Sequence, residues 1–128
     1  MYKFLFIALG GAAGALLRYS VSGASYKYMG GLLPCGTLVV NLAGCFAIGF
    51  LWQAFEFLTS SPNMRAFIFV GILGAFTTFS TYGLETYNLF REGELKYALL
   101  NIAASNILGL GLVFAGFIAA RYLFSVLR

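Results

Sequence analysis

Four long apolar stretches, separated by short polar segments, divide the chain. They cover about residues 4–21, 35–57, 66–90 and 97–124. A helix needs about 20 mostly apolar residues to cross the hydrocarbon layer of a bilayer, and each stretch is close to that length or longer. The pattern predicts an all-α membrane protein of four transmembrane helices, with residues 1–128 forming one domain.

The composition agrees with a lipid environment. Hydrophobic residues make up 61% of the chain and charged residues only 9%, whereas a soluble domain carries about 25% charged residues. The net charge of +4 comes from Lys and Arg residues scattered singly along the chain, so no basic stripe for nucleic acid forms. We expect a multi-pass protein of the inner or plasma membrane with no nucleic-acid partner.

The residue types argue against an enzyme. Histidine is absent, and no nucleophile lies in a pattern that would pair it with a base. Cys35 and Cys45 are ten positions apart, which places them on nearly opposite sides of one helix. Neither a cysteine metal site nor an internal disulfide is predicted.

Glycines recur through the first stretch, whose start resembles a secretory signal peptide. Gly10 and Gly14 form the small-xxx-small arrangement that lets helices pack closely in lipid. Because the later stretches also need a packing partner, we expect this helix to be retained.

Positive charges are balanced between the two sides of a four-span topology. The side of the termini has Lys3, Arg65, Arg121 and Arg128, and the other side has Arg18, Lys27, Arg91 and Lys96. The positive-inside rule therefore gives no orientation. We expect insertion both ways up, so that oppositely oriented copies could pack about a two-fold axis in the membrane plane; alternatively, other signals set the orientation.

The third stretch contains a polar-aromatic run, Thr77-Thr78-Phe79-Ser80-Thr81-Tyr82, after two glycines at Gly71 and Gly74. Such a run forms a poor continuous helix, and we predict a break near mid-membrane. Broken backbone survives at that depth only when it is buried in protein or lines a cavity, where its freed carbonyl oxygens can bind a cation. The alternative is an ordinary helix whose hydroxyls bond back to preceding carbonyls.

Further polar residues lie within the second and fourth stretches. Thr37, Asn41 and Gly44 share one helical face, and Tyr97, Asn101 and Ser105 form a second polar stripe, with Asn106 on a neighbouring face. Such groups either join helices, at about 0.6 kcal/mol per hydrogen bond, or line a water-filled path. For the fourth-stretch stripe the sequence leaves both roles open.

The polar groups favour an anion over a cation. Glu85 is the only carboxylate in or near a span core, so no carboxylate ring marks a cation pore. Its expected partners are Arg18 or a hydroxyl, in either a structural or a functional role. Amides and hydroxyls donate hydrogen bonds, and the positive edge of the Phe79 ring could face an anion. A small, hydrated anion is the predicted cargo.

Three runs carry a resemblance to a known family. They are residues 10–19 (GGAAGALLRY), 34–44 (PCGTLVVNLAG) and 71–82 (GILGAFTTFSTY), together with Glu85. Over nearly its whole length the chain resembles the small fluoride channels called Fluc or CrcB proteins. The resemblance implies an antiparallel homodimer with two pores that exports fluoride passively and protects a microbial cell from its toxicity.

The resemblance also implies roles for individual residues. Asn41, Phe79 and Tyr82 would contact fluoride, and the carbonyl oxygens of Gly74 and Thr77 from both subunits would hold a structural Na⁺ on the two-fold axis. Beside the rings, a track of donors and vestibule groups would comprise Thr37, Ser80, Thr81, Asn101 and Ser105, with Arg18 near a vestibule. Tyr82 stands where the family's second pore phenylalanine is expected, so its hydroxyl adds a donor and bulk.

Two other functions compete with a fluoride channel. Small four-helix exporters of cationic drugs also use dual topology, but they bind their cargo through an acidic residue in the first helix, and residues 4–21 contain none. The second alternative is a noncatalytic membrane assembly subunit in which the broken helix serves only packing.

Overall fold

The computed structural model describes residues 2–58 and 60–126, so Arg128 of the charge comparison lies outside the described residues. Its helices are α1 (Tyr2–Tyr28), α2 (Cys35–Phe57), α3 (62–76), α4 (Phe79–Arg91) and α5 (Leu95–Val126). Helices α3 and α4 together form one span, Pro62–Arg91, and four spans are long and apolar enough to cross a membrane. The predicted all-α fold with four spans is confirmed.

Helix α1 continues beyond its predicted end at residue 21. The polar residues that suggested a loop are satisfied inside the helix, because Ser22 donates to the Tyr19 carbonyl oxygen and Ser25 to that of Val21, at 3.3 and 2.8 Å. Residues 22–28 therefore keep a helical register. Tyr26 is thereby held on a defined face of α1.

Two helices contain stretches of π-helical geometry. One is Ala66–Leu73 in α3, and the other is Ala104–Leu108 in α5. A π-turn contains an extra residue and shifts the faces that the following residues occupy, and such turns often lie at functional sites. The segment in α5 contains Ser105 and Asn106, whose relative placement therefore differs from that in a regular α-helix.

Glycines set the close approach of the helices. A Cβ atom at Gly10 would overlap the carbonyl oxygen of Phe67, and one at Gly14 would overlap that of Ile72, so α1 and α3 meet backbone to backbone. Helix α2 packs along the second half of α5, and α4 packs on its start. The helix break consequently lies beside α2 and α5.

Large apolar side chains cover the outside of this bundle. Phe4, Phe114 and Tyr122 are 78%, 68% and 73% exposed. A surface of this kind requires lipid or another subunit around it, because water would solvate it poorly.

Candidate functional site

The third span is broken at two consecutive residues. Thr77 and Thr78 have extended backbone, with φ/ψ of −83°/157° and −150°/117°, between the end of α3 at Phe76 and the start of α4 at Phe79. The predicted break is confirmed. The Thr77 hydroxyl also donates to the Leu73 carbonyl oxygen at 3.0 Å, so back-bonding occurs beside the break without keeping the helix continuous.

Asn41 on α2 satisfies the backbone of the break. The Thr78 N–H donates to Asn41 Oδ1 at 2.8 Å, and Asn41 Nδ2 donates to the Thr78 carbonyl oxygen at 2.9 Å. A buried backbone group without a partner would cost about 1–3 kcal/mol. In a continuous helix the Thr78 N–H would instead bond the carbonyl oxygen of Gly74. Asn41 therefore both stabilises the break and frees the Gly74 carbonyl.

The Thr78 side chain starts α4. Its Oγ1 accepts a hydrogen bond from the Thr81 N–H at 3.3 Å and donates to Thr81 Oγ1 at 3.0 Å, and it lies 3.3 Å from Ser80 Oγ. Threonine is a favoured N-terminal cap of helices. The first turn of α4 carries partial positive charge and free N–H groups, which favours an anion nearby.

A cavity of about 340 Å³, hereafter the break cavity, lies between the break, α2 and α5. Six residues of the predicted site line it together: Asn41, Gly74, Thr77, Phe79, Tyr82 and Ser105. Its wall also includes Gly44, Cys45, Ile48, Phe69, Leu73, Thr78 and Asn106. The structure thus brings together residues from three separate stretches of the sequence.

Aromatic rings and unpaired donors face this cavity. The centroids of the Phe79 and Tyr82 rings are 5.4 Å apart, with the planes tilted by 54°, and Phe79 is 81% exposed. Ser105 Oγ is buried and has no hydrogen-bond partner among the described residues. An O–H group without a protein acceptor can donate to a bound ion or water.

A second cavity, hereafter the Glu85 cavity, has a volume of about 470 Å³. It meets the break cavity at Thr78, which lines both. The predicted residues in its wall are Arg18, Thr37, Thr81 and Glu85, accompanied by Ala15, Tyr19, Ser22, Tyr26 and Val40. The two cavities together hold ten of the twelve predicted site residues.

Hydroxyl groups hold the Glu85 carboxylate. Glu85 Oε1 accepts hydrogen bonds from the Tyr26 hydroxyl at 2.6 Å and from Thr37 Oγ1 at 2.7 Å. Of the two predicted kinds of partner, the structure shows the hydroxyl. Glu85 Oε2 is buried without a partner among residues 2–58 and 60–126, so this carboxylate retains an unused acceptor.

The remaining two predicted residues lie outside both cavity walls. Asn101 is 1% exposed, and its Nδ2 donates to Thr86 Oγ1 at 2.9 Å, which joins α5 to α4. Ser80 lies on the exposed first turn of α4, next to Thr78. Burial of Asn101 favours the packing role that the sequence left open, while its role and that of Ser80 in a pathway stay predictions.

Sequence reasoning left three polar residues of this site outside the predicted set: Thr78, Tyr26 and Asn106. Thr78 enters the sequence argument only as part of the run that predicts the break, whereas in the structure it lines both cavities. The hydropathy pattern predicts a loop at Tyr26, where no helical register directs the side chain towards Glu85, 59 positions away. Regular helical spacing predicts Asn106 on a face next to the Ser105 stripe, because the π-helical geometry of α5 has no sequence signal comparable to hydropathy. It donates to the Tyr82 hydroxyl at 3.2 Å.

Comparison with known proteins gives consistent matches. The protein-family model described as "CrcB-like protein, Camphor Resistance (CrcB)" matches residues 5–117. A "Fluoride-specific ion channel FluC" of Desulforapulum autotrophicum is 48% identical over 121 residues, covering 94% of this chain and 97% of that protein. Proteins of the same name from Parabacteroides distasonis and Salinibacter ruber are 45% and 47% identical, over 100% and 96% of this chain and 100% and 92% of their own lengths. The matched regions include both cavities.

Proposed function

The chain belongs to the CrcB-like family, and from that premise we propose that it is a fluoride-selective ion channel, which lets F⁻ leave the cell passively across the inner membrane and relieves fluoride toxicity. The observation that carries the proposal is the break cavity, where Asn41, the Phe79 ring and the first turn of α4 converge within a membrane span. A channel makes and breaks no covalent bond, so the family assignment agrees with a non-enzymatic function.

The chemistry of the break cavity suits a small anion. Among the described residues its wall contains no carboxylate. It presents instead a ring edge at Phe79, hydroxyls at Tyr82 and Ser105, and the remaining amide hydrogen of Asn41. Phenyl edges carry positive quadrupole charge, and hydroxyl and amide groups donate hydrogen bonds. These groups replace part of the water shell that the ion loses when it enters.

We assign the Glu85 cavity to the vestibule of the same pathway. Half-buried Arg18 supplies positive charge there, while Glu85 is held by Tyr26 and Thr37. Thr37 and Thr81 add hydroxyl groups between the vestibule and the shared residue Thr78. An anion drawn in by Arg18 would pass these hydroxyls on its way to the break cavity.

The working channel in this proposal is an antiparallel homodimer. Support comes from the equal numbers of Lys and Arg on the two sides of the membrane and from Phe79 and Gly74, which are exposed in the single chain although they line the proposed site. A second copy would cover them. Labelling of a single cysteine added at a terminus, in a cysteine-free background, should be equal from both membrane sides; one-sided labelling would reject dual topology.

Sodium at the two-fold axis is the proposed structural cofactor. Gly74 and Thr77 both line the break cavity, and the Gly74 carbonyl oxygen has lost its normal helical donor, the Thr78 N–H, to Asn41. Freed carbonyl oxygens are hard ligands of the kind that Na⁺ prefers, and broken membrane helices use them for this ion. The residues present therefore fit the ion. When bound, Na⁺ would supply positive charge that fastens the two broken spans together.

Fluoride release from liposomes tests the proposed function. Vesicles loaded with KF and carrying the purified protein should release fluoride as soon as potassium is made permeable, as read by a fluoride electrode. Release no faster than from protein-free vesicles would overturn it. The drug-exporter alternative gains no support from the structure, because the acid it requires in the first helix is absent from Tyr2–Tyr28.

A further inference from the structure

The Tyr82 hydroxyl lies in the wall of the break cavity, and its oxygen already accepts one hydrogen bond. The oxygen accepts a hydrogen bond from Asn106 Nδ2 at 3.2 Å. A phenol has a single proton to donate. Among the described residues the structure gives that proton no acceptor, so it remains available to an occupant of the cavity.

Asn106 is itself held to the backbone of α5. Its Nδ2 donates to the Ile102 carbonyl oxygen at 2.8 Å as well as to the Tyr82 hydroxyl. An amide NH₂ group has two hydrogens, and these two bonds use both. Tyr82 is therefore tied through Asn106 to a fixed point on the neighbouring helix.

The π-helical segment Ala104–Leu108 brings this amide to the cavity. In a regular α-helix, consecutive residues point about 100° apart. Here the consecutive residues Ser105 and Asn106 both line the break cavity, and Ser105 Oγ is buried there without a partner in the described part of the chain. Two hydroxyl donors, Tyr82 and Ser105, thus line one space, and neither proton has an acceptor within residues 2–58 and 60–126.

We propose that the Tyr82 hydroxyl is a hydrogen-bond donor to the anion in the break cavity, and that Asn106 is the positioning residue that orients it. This proposal rests on the proposed function, in which the anion is fluoride. A hydroxyl that accepts a bond from an amide becomes a stronger donor. Fluoride is the smallest halide and a strong acceptor, so it gains more from this O–H group than a larger halide does.

Currents recorded from the purified channel in planar bilayers test the proposal. In Tyr82→Phe the ring stays and only the hydroxyl is lost. We expect the fluoride concentration that gives half-maximal current to rise about tenfold, equivalent to about 1.4 kcal/mol. Asn106→Ala keeps the Tyr82 hydroxyl but removes the amide that donates to it. The half-maximal fluoride concentration should then rise by about threefold. The double variant should equal Tyr82→Phe, because Asn106 acts only through the hydroxyl.

Tyr87→Phe is the matched control. Tyr87 lies on the same helix, is 61% exposed and lies outside both cavity walls, so this variant should match the wild type. A purely structural defect would reduce the number of active channels and the maximal current while leaving the half-maximal concentration unchanged.

Three results would be decisive against the proposal or its basis. An unchanged half-maximal concentration in Tyr82→Phe, with a conducting wild type, overturns the donor role. If the half-maximal concentration in the double variant shifts by the product of the two single-variant shifts, the positioning role of Asn106 is overturned. A wild type that conducts no fluoride refutes the proposed function itself, and this inference with it.

Discussion

Asn41 and Thr78 exchange a pair of hydrogen bonds, at 2.8 and 2.9 Å, between one side-chain amide and both backbone groups of one residue. Two residues of neighbouring β-strands exchange hydrogen bonds in the same way, but here a side chain takes the place of one strand, at a helix break. It satisfies both backbone groups of Thr78, so extended backbone can exist at this residue inside a membrane span. Asn41, which the sequence predicts to contact the ion, thus also supports the helix break.

Replacing Asn41 should destabilise the protein and impair conduction together. Asn41→Ala removes both partners of Thr78, and we expect the free energy of unfolding to fall by about 1–3 kcal/mol. Asn41→Asp keeps the shape but places an acceptor opposite the Thr78 carbonyl oxygen, so it should be no better tolerated. Thermal unfolding in detergent, followed by fluoride efflux, measures both effects. Wild-type stability in both variants would show that the hydrogen-bond pair is unimportant.

Phe79→Ile tests the ring edge in the break cavity. The substitution replaces positive ring edge by aliphatic surface, and fluoride efflux from liposomes should slow by at least about tenfold, or about 1.4 kcal/mol in the barrier. The proposed dimer should persist, as judged by size-exclusion chromatography. Phe114→Ile is the matched control, because Phe114 is 68% exposed and lies on α5 outside both cavity walls. Equal rates in the two variants would argue against a pore role for Phe79.

Gly44 provides a test of how closely α2 approaches the break. A Cβ atom at this position would overlap the Thr77 methyl group, whereas one at Gly111 on α5 would meet nothing within 4 Å. Gly44→Ala should therefore lower the thermal midpoint and slow fluoride efflux, with a cost of about 1–3 kcal/mol from overpacking. Gly111→Ala should leave both close to wild type. Equal thermal midpoints and efflux rates in the two alanine variants would show that α2 does not need Gly44 to approach the break.

Sodium dependence tests the proposed role of the Gly74 and Thr77 carbonyl oxygens. An ion that binds only the folded protein stabilises it by about 2.7 kcal/mol when present at 100 times its dissociation constant. The thermal midpoint should therefore be higher in sodium gluconate than in choline gluconate at equal ionic strength, with lithium and potassium salts reporting selectivity. Identical midpoints after exhaustive dialysis from the unfolded state would contradict a structural sodium ion.

Much of the fold could be predicted from local sequence pattern, because the hydropathy of a segment and its hydroxyl content depend only on its own residues. Hydropathy predicted the four spans, and the run beginning at Thr77 predicted the break. The pairing of Asn41 with Thr78 spans 37 positions, and that of Tyr26 with Glu85 spans 59, so no local pattern encodes them. The π-helical segments likewise have no local signal in the sequence comparable to hydropathy. Placement of Asn106 beside Tyr82 accordingly required the structure.

Fluoride efflux from liposomes carrying the purified protein tests the claim that this chain is a fluoride channel. The vesicles contain KF, sodium is present throughout, and valinomycin starts the release that a fluoride electrode follows. We predict rapid, passive fluoride release that is strongly slowed by Phe79→Ile and unaffected by Phe114→Ile. A folded preparation, verified by its unfolding transition, that releases fluoride no faster than protein-free vesicles would contradict the claim.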